Sequence, residues 1–492
     1  MPAAAEPRVA TAFFGHRPEH LLATARVVVP LALGATIALL PAPAGLTQNA
    51  WYYFALFVTI IAGIITEPVP PAALGLAGVI VAAALGLVRD TPSLSAQWAL
   101  GGFANPTVWL IFAGYVFTLG YAETGLGRRI ALHLVRLLGH RTLGLGYAVT
   151  LADLALAPFT ASATARSAGT VYPIIRHIPE LYGSSPDAGT ARRIGAYLLY
   201  TAMAVSTITS SMFITALAPN TLAISIIEQA TGIRVSWLTW FKGFAPVGFT
   251  LLLIVPSLLY WTYPPEVRSS PEAPRWAAVE LRRMGSMSSR EVTLLVLVCS
   301  ALTLWITATS HIDPALTAVF VVLLMVVLGV VSWPDVIGHA AAWNMLIWFG
   351  ALVTLAGGLA DTGFVGWTAR SLSPVLERLN LFEAVLVIVG AFFFLHYCFA
   401  SITAHTSTLL PVFVGLAIGV PGLSPLTWAL LLGYSLGLMS ILTSYAAGQN
   451  VIYYGSGFIA RREFWTLGLM MGLVYFVIYL AIAVPWLTFL GV

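Results

Sequence analysis

Apolar stretches near membrane-spanning length recur along the chain, at Leu21 to Leu40, Trp51 to Thr66, Ala72 to Val88, Trp240 to Tyr260, Val292 to Thr307, Ala315 to Val331 and Phe464 to Leu490. A helix needs about 20 mostly apolar residues to cross a hydrocarbon core, so this pattern predicts an all-α polytopic membrane protein. Composition agrees: 59% of the 492 residues are hydrophobic and 9% charged, too few charges to keep a soluble domain in solution. The first run lies behind a basic head with Arg8, Arg17 and Arg26, has no small-residue cleavage site and is followed at once by another span. It reads as a retained helix, and residues 1–48 as an N-terminal segment with that first span. Cys299 and Cys398 both fall in apolar segments and are expected to be buried small side chains with no disulfide framework.

The arginines form four clusters: Arg128, Arg129, Arg136 and Arg141; Arg176, Arg192 and Arg193; Arg268, Arg275, Arg282, Arg283 and Arg290; Arg461 and Arg462. A net charge of +4 in a soluble protein would suggest nucleic acid; in short membrane loops it sets topology instead, and no nucleic-acid partner is expected. The positive-inside rule places all four clusters and the N-terminus in the cytoplasm. The first two bracket residues 142–175, so that segment leaves the cytoplasm and returns to it. A re-entrant hairpin with its tip near Thr160 to Ser167 satisfies this, as would two short ordinary spans with a polar turn outside. Loop backbone at membrane depth survives only inside protein or along a water-filled cavity, which makes the tip a candidate site.

Internal similarity favours the hairpin. "YAETGLG" (Tyr121 to Gly127) is echoed by "LADTGFV" (Leu359 to Val365), and Ser162, Thr164 and Ala165 align with Ser401, Thr403 and Ala404 in "FASITAHTSTLLP". The chain divides into a first repeat over 49–263 with a cytoplasm-side hairpin at 142–178, a cytoplasmic linker at 264–290, and a second repeat over 291–492 with an opposite-side hairpin at 380–418. Inverted repeats of this kind mark secondary transporters that bind substrate near the midplane. Each hairpin is followed by an interrupted helix: "STITSSMFITALAPNTLAI", with Thr215 and a Pro219-Asn220 break, and "SILTSYAAGQNVIYYGSG", with Gly448-Gln449-Asn450. Broken helices present N–H groups to anions and carbonyls to cations.

The polar residues can be read functionally or structurally. Arg166 at the first tip is costly in a membrane unless paired; an oxygen-rich anion is one partner, Asp153 or a helix-end carbonyl the other. His405 holds the matching place at the second tip, while His396 reads as a packing residue. Glu123 and Asp361 read as caps or domain contacts. Ser401 and His405 at i, i+4 would also suit a remote alternative, an intramembrane hydrolase, but no oxyanion-hole motif or orienting third group accompanies them. A channel would need charged rings or a carbonyl filter.

Several ordered stretches, "NPTVWLIFAGYVFTLGYAETGLGRRIAL", "ADLALAPFTASATARSAGTVYPII", "ITSSMFITALAPN", "HYCFASITAH" and "VIYYGSGFIARREFWTLG", resemble the divalent anion/sodium symporter family, within it the citrate/succinate antiporter and 2-oxoglutarate/malate translocator branch. The resemblance covers the chain from about residue 45 onward. It implies about eleven transmembrane helices plus two re-entrant hairpins in an inverted repeat, a homodimer in lipid with a scaffold and an elevator-like transport domain, and di- or tricarboxylate substrates. It implies a substrate site at Ser162, Ala163, Thr164, Arg166, Ser401, Ile402, Thr403, His405, Thr215, Pro219, Asn220, Gly448 and Asn450. The family's first tip reads Ser-Asn-Thr, where this chain has Ala163 in the middle; Ile402 replaces an Asn or small residue at the second tip. The family's Pro-Tyr-Gly/Ala-Thr-Gly-Pro stands here as Ser444-Tyr445-Ala446-Ala447-Gly448-Gln449. An Asn amide can give sodium its oxygen and a carboxylate its N–H; Ala and Ile can do neither. The expected protein is therefore an exchanger of one organic anion for another in the inner (plasma) membrane, without a cofactor. The alternative is a sodium-coupled symporter with sodium near Ser162, Thr164, Ser401 and Thr403.

Overall fold

The computed structural model describes residues 19–308, 311–376 and 378–492, without side chains for 19–23 and 372–376. Residues 1–18, with Arg8 and Arg17 of the basic head, lie outside it. The described residues form helices throughout, with one isolated β-bridge between Arg141 and Ser269. Among them, nine helices are long and apolar enough to cross a membrane, and shorter apolar helices such as Pro71–Ala84 and Pro314–Val327 lie between them. The chain is a multi-pass membrane protein. Its helix starts follow local chemistry: Asn105, Asp313 and Ser424 each cap a helix with a side-chain oxygen, and each is followed by proline at the first helical position, where the missing N–H costs nothing.

The second half repeats the element order of the first. Thr142–Leu156 and Ala157–Phe159 form the first arm of one hairpin, and the returning arm is π-wound over Thr164–Val171 before Tyr172–Ile175. The second hairpin pairs Leu381–Phe394 and Leu395–Cys398 with Ile402–Ala417. Each is followed by a broken helix: Gly195–Met212 resumes at Ala218–Thr231, and Pro425–Leu438, tightened over Met439–Leu442, resumes at Gly448–Gly455. At the breaks the backbone turns extended, at Phe213 and Leu217 in one and at Thr443 and Ala447 in the other.

The four basic clusters meet at one end of the molecule. Arg128 pairs with Glu280 at 2.8 Å, Arg192 reaches Glu463 at 3.4 Å, and the backbones of Arg192 and Arg193 accept from Glu266 and Val267. The linker is more ordered than a polar loop. Its residues Glu272–Met284 form an amphipathic helix that buries Ala273, Ala277 and Leu281 and packs on the helix Leu126–Leu138. Arg129 grips Glu291 through Nε at 2.7 Å and Nη2 at 3.2 Å, with both side chains nearly inaccessible, and also donates to the Gly285 carbonyl. Asp361 is a contact residue as expected, 2.9 Å from Arg89, and Glu123 is exposed. The cysteine expectation is corrected: Cys299 and Cys398 are free but exposed. An apolar run in a membrane protein has a lipid-facing side, so apolar neighbours in sequence do not imply burial.

Candidate functional site

Both hairpin tips and both helix breaks converge on one cavity of about 210 Å³. Ser162, Ala163 and Thr164 come from the first tip, Ser401, Ile402 and Thr403 from the second, Pro219 from the first break, and Gly448 with Gln449 from the second. Tyr115 closes it from the helix Pro106–Thr124, and Met345 and Trp348 from Ala340–Asp361. Two glycines permit the approach. A Cβ on Gly448 would fall 2.5 Å from Thr164 Oγ1, and one on Gly114 would fall 2.5 Å from the Ala161 Cβ.

Four helix N-termini point into this space, at Thr164, Ala218, Ile402 and Gly448. The N-cap positions Ala163, Leu217 and Ala447 carry no side chain that could satisfy the leading N–H groups. Ser162 and Ser401 do cap their tips, accepting from Ala165 N at 3.2 Å and Ala404 N at 3.4 Å. None of the lining residues is charged. Each N-terminus carries roughly half a positive charge, so together they present on the order of two. That field is supplied by backbone alone.

Five of the expected site residues lie elsewhere. Arg166 is 0% exposed, and each of its five N–H groups has an acceptor: Nε reaches Asp153 Oδ2 at 3.1 Å, Nη1 the carbonyls of Thr160 and Ala216 at 3.2 and 2.9 Å, and Nη2 the hydroxyls of Thr209 and Ser210 at 3.3 and 2.9 Å. No N–H remains for a ligand. It sits one turn inside its helix, its N–H bonded to the Ser162 carbonyl, so the tip stands between it and the cavity. His405 is one turn behind Ser401 in the same way and is enclosed by Phe392, Phe399 and His396, with ring centroids 4.5, 4.9 and 5.1 Å away. Neither of its ring nitrogens has a hydrogen-bond partner among the described residues, so it is not positioned to activate Ser401.

Thr215 donates to the Pro158 carbonyl and accepts from Trp237 Nε1, stitching the first break to the first hairpin. Asn220 and Asn450 perform one task twice: Nδ2 of each donates to carbonyls ten and seven residues earlier, Ser210 and Phe213 at 2.7 and 2.9 Å, and Ser440 and Thr443 at 2.6 and 2.8 Å. The Ser210 and Ser440 carbonyls have lost their helical donors at the break, and a buried carbonyl needs another; those of Phe213 and Thr443 also accept from Ala216 N and Ala446 N. Tyr115, Met345, Trp348 and Gln449 are cavity residues that sequence reasoning missed. Gln449, between the singled-out Gly448 and Asn450, was within reach of it; the other three lie in plain apolar spans.

An all-helical membrane protein in which two similar halves each bring a hairpin tip and a helix break to one shared cavity has the build of a transporter rather than an enzyme. The sequence model described as the sodium:sulfate symporter transmembrane region matches residues 22–492, and the chain belongs to the divalent anion/sodium symporter family. It is 43% identical over 476 residues to the L-tartrate/succinate antiporter of Escherichia coli (strain K12), covering 94% of this chain and 97% of that protein. It is 42% identical over the same length and shares to the L-tartrate/succinate antiporter of Shigella sonnei (strain Ss046). Among solved structures, the YdaH transporter of Alcanivorax borkumensis, described as having an unusual topology, is similar over 96% of this chain and 97% of that one, with a TM-score of 0.51 and 16% identity. That likeness speaks for the fold.

Proposed function

We propose that this protein exchanges one small dianionic carboxylate for another across the inner membrane, as the names of its antiporter relatives suggest. The observation that carries the reading is the cavity: no charged side chain lines it, yet four helix N-termini do, with a summed field suited to two carboxylates. Ser162, Ser401 and Thr403 add hydroxyls that donate to the same oxygens, and Thr164 adds one that faces Gln449. The hairpins and broken helices pack on one another, while Pro106–Thr124 and Ala340–Asp361 close the cavity from the other side. Sliding of the first group along the second gives elevator-like alternating access, in a homodimer with a cytoplasmic N-terminus.

The side chains at the tips favour exchange over sodium coupling. Ala163 and Ile402 offer no side-chain oxygen, and the Ser162 and Ser401 oxygens already serve as caps, whereas a hard cation takes about six oxygens. Symport keeps one observation in its favour: Asn220 Oδ1 and Asn450 Oδ1 are buried acceptors without a donor among the described residues. Proteoliposomes separate the two. An exchanger takes up labelled succinate only when preloaded with a diacid, at the same rate in sodium, potassium or choline. Sodium-dependent uptake into empty vesicles would replace exchange by symport.

A further inference from the structure

We infer that Gln449 reads the substrate directly, its side-chain amide donating to one carboxylate of the bound dianion. This rests on the exchange reading above. Gln449 is the second residue of the helix Gly448–Gly455, lines the cavity and is 1% exposed. Its Oε1 faces the Thr164 hydroxyl of the first hairpin, 3.5 Å across the cavity. That turns Nε2 the other way, and Nε2 has no acceptor among the described residues. Buried amide donors in folded proteins are almost always paired, so an unpaired one in a ligand-sized cavity marks a place where the ligand supplies the acceptor.

A second donor shares its situation. Trp348 Nε1 lines the same cavity from the helix Ala340–Asp361 and is also unpaired. An indole N–H can only donate, so the ligand that answers it must present oxygen lone pairs. Among the residues lining the cavity, Gln449 holds the sole side-chain amide and no side chain is cationic. Selection therefore works by the placement of neutral donors. A diacid answers donors at both ends, while a monoacid of equal length leaves buried N–H groups unpaired, the arrangement that rejects an analogue most strongly.

The test uses the full chain with succinate as probe, in proteoliposome counterflow and in detergent melting-point shifts. Gln449→Met keeps length and loses the donor. It should raise the KM for succinate about ten- to a hundredfold, the worth of a hydrogen bond to a charged group, with maximal rate and unliganded melting point close to wild type, and should narrow the preference for succinate over butyrate. Gln449→Glu should abolish uptake at pH 7.5 and recover part of it, relative to wild type at the same pH, at pH 5.5, where protonation restores one O–H donor. Trp348→Phe should raise KM by a smaller factor. Wild-type KM and wild-type succinate/butyrate preference in Gln449→Met would overturn the inference, whether or not its melting point falls. If the wild type binds succinate without exchanging it and Gln449→Met loses the binding shift, the inference stands and exchange falls. If the wild type shows neither exchange nor binding, both fall.

Discussion

The residues one turn behind the two hairpin tips occupy equivalent places and are built from opposite chemistry. Arg166 is locked into a polar knot with Asp153, Thr209, Ser210 and two carbonyls, whereas His405 lies in a nest of Phe392, Phe399 and His396 with its nitrogens unpaired among the described residues. The Asn220 and Asn450 staples, by contrast, are the same in both halves to the residue offset. Where interrupted backbone must be satisfied, the repeats keep one solution, because the carbonyls to be answered are the same. Where a side chain only has to fill and fix the base of a hairpin, an ion-paired knot and an aromatic nest serve equally.

Breaking the knot should have the largest effect. Arg166→Met leaves Asp153 buried and unpaired, and its melting free energy in detergent should fall by about 3–5 kcal/mol; Arg166→Met with Asp153→Leu should regain much of that. A variant that stays as stable as wild type but loses substrate affinity would restore Arg166 to the binding site. Next come the staples: Asn220→Leu strands the Ser210 carbonyl and Asn450→Leu that of Ser440, and each should cost about 1–3 kcal/mol; a strong inequality between them would show that the two breaks are not equivalent. Removing hydroxyls from the first tip by Ser162→Ala with Thr164→Val should weaken substrate affinity by roughly 1.5–3 kcal/mol per lost bond. The matching Ser401→Ala with Thr403→Val should act alike, measured as KM at equal expression. The smallest effect belongs to the nest. His405→Phe removes nitrogens that bond nothing and keeps a ring of similar size, so stability should change by less than about 1.5 kcal/mol with exchange retained; loss of exchange in a stable protein would give His405 a role beyond packing.

The repeat, the hairpins and the tip residues could be read in the sequence because each leaves a local mark: a matched Thr-Gly, a Ser-x-Thr-Ala, a Pro or Gly interrupting an apolar run. Arg166 and His405 lie off the cavity for a geometric reason. Four residues beyond a tip serine lies a full helical turn, about 5.4 Å deeper, and linear proximity to the tip does not show that the helix has already turned its side chain into the protein. Tyr115 and Trp348 were illegible because their spans look like any other apolar helix; only the packing of the Pro106–Thr124 and Ala340–Asp361 helices against the tips brings them to the cavity. Asn220 and Asn450 are legible as marks of a break, while the engagement of their amide donors by the break's own carbonyls shows only in the folded chain.

The clamp between Arg129 and Glu291 bears on how the chain is made. The two residues are 162 positions apart, and at a synthesis rate of about 5–20 residues per second the arginine emerges on the order of ten seconds before its carboxylate. By the end of that interval the first repeat is complete in sequence, and Arg129 still lacks the carboxylate that pairs with it. Closure of the clamp therefore waits for the helix Ser289–Thr307, and this ion pair ties the first half of the chain to the second only once both have been made.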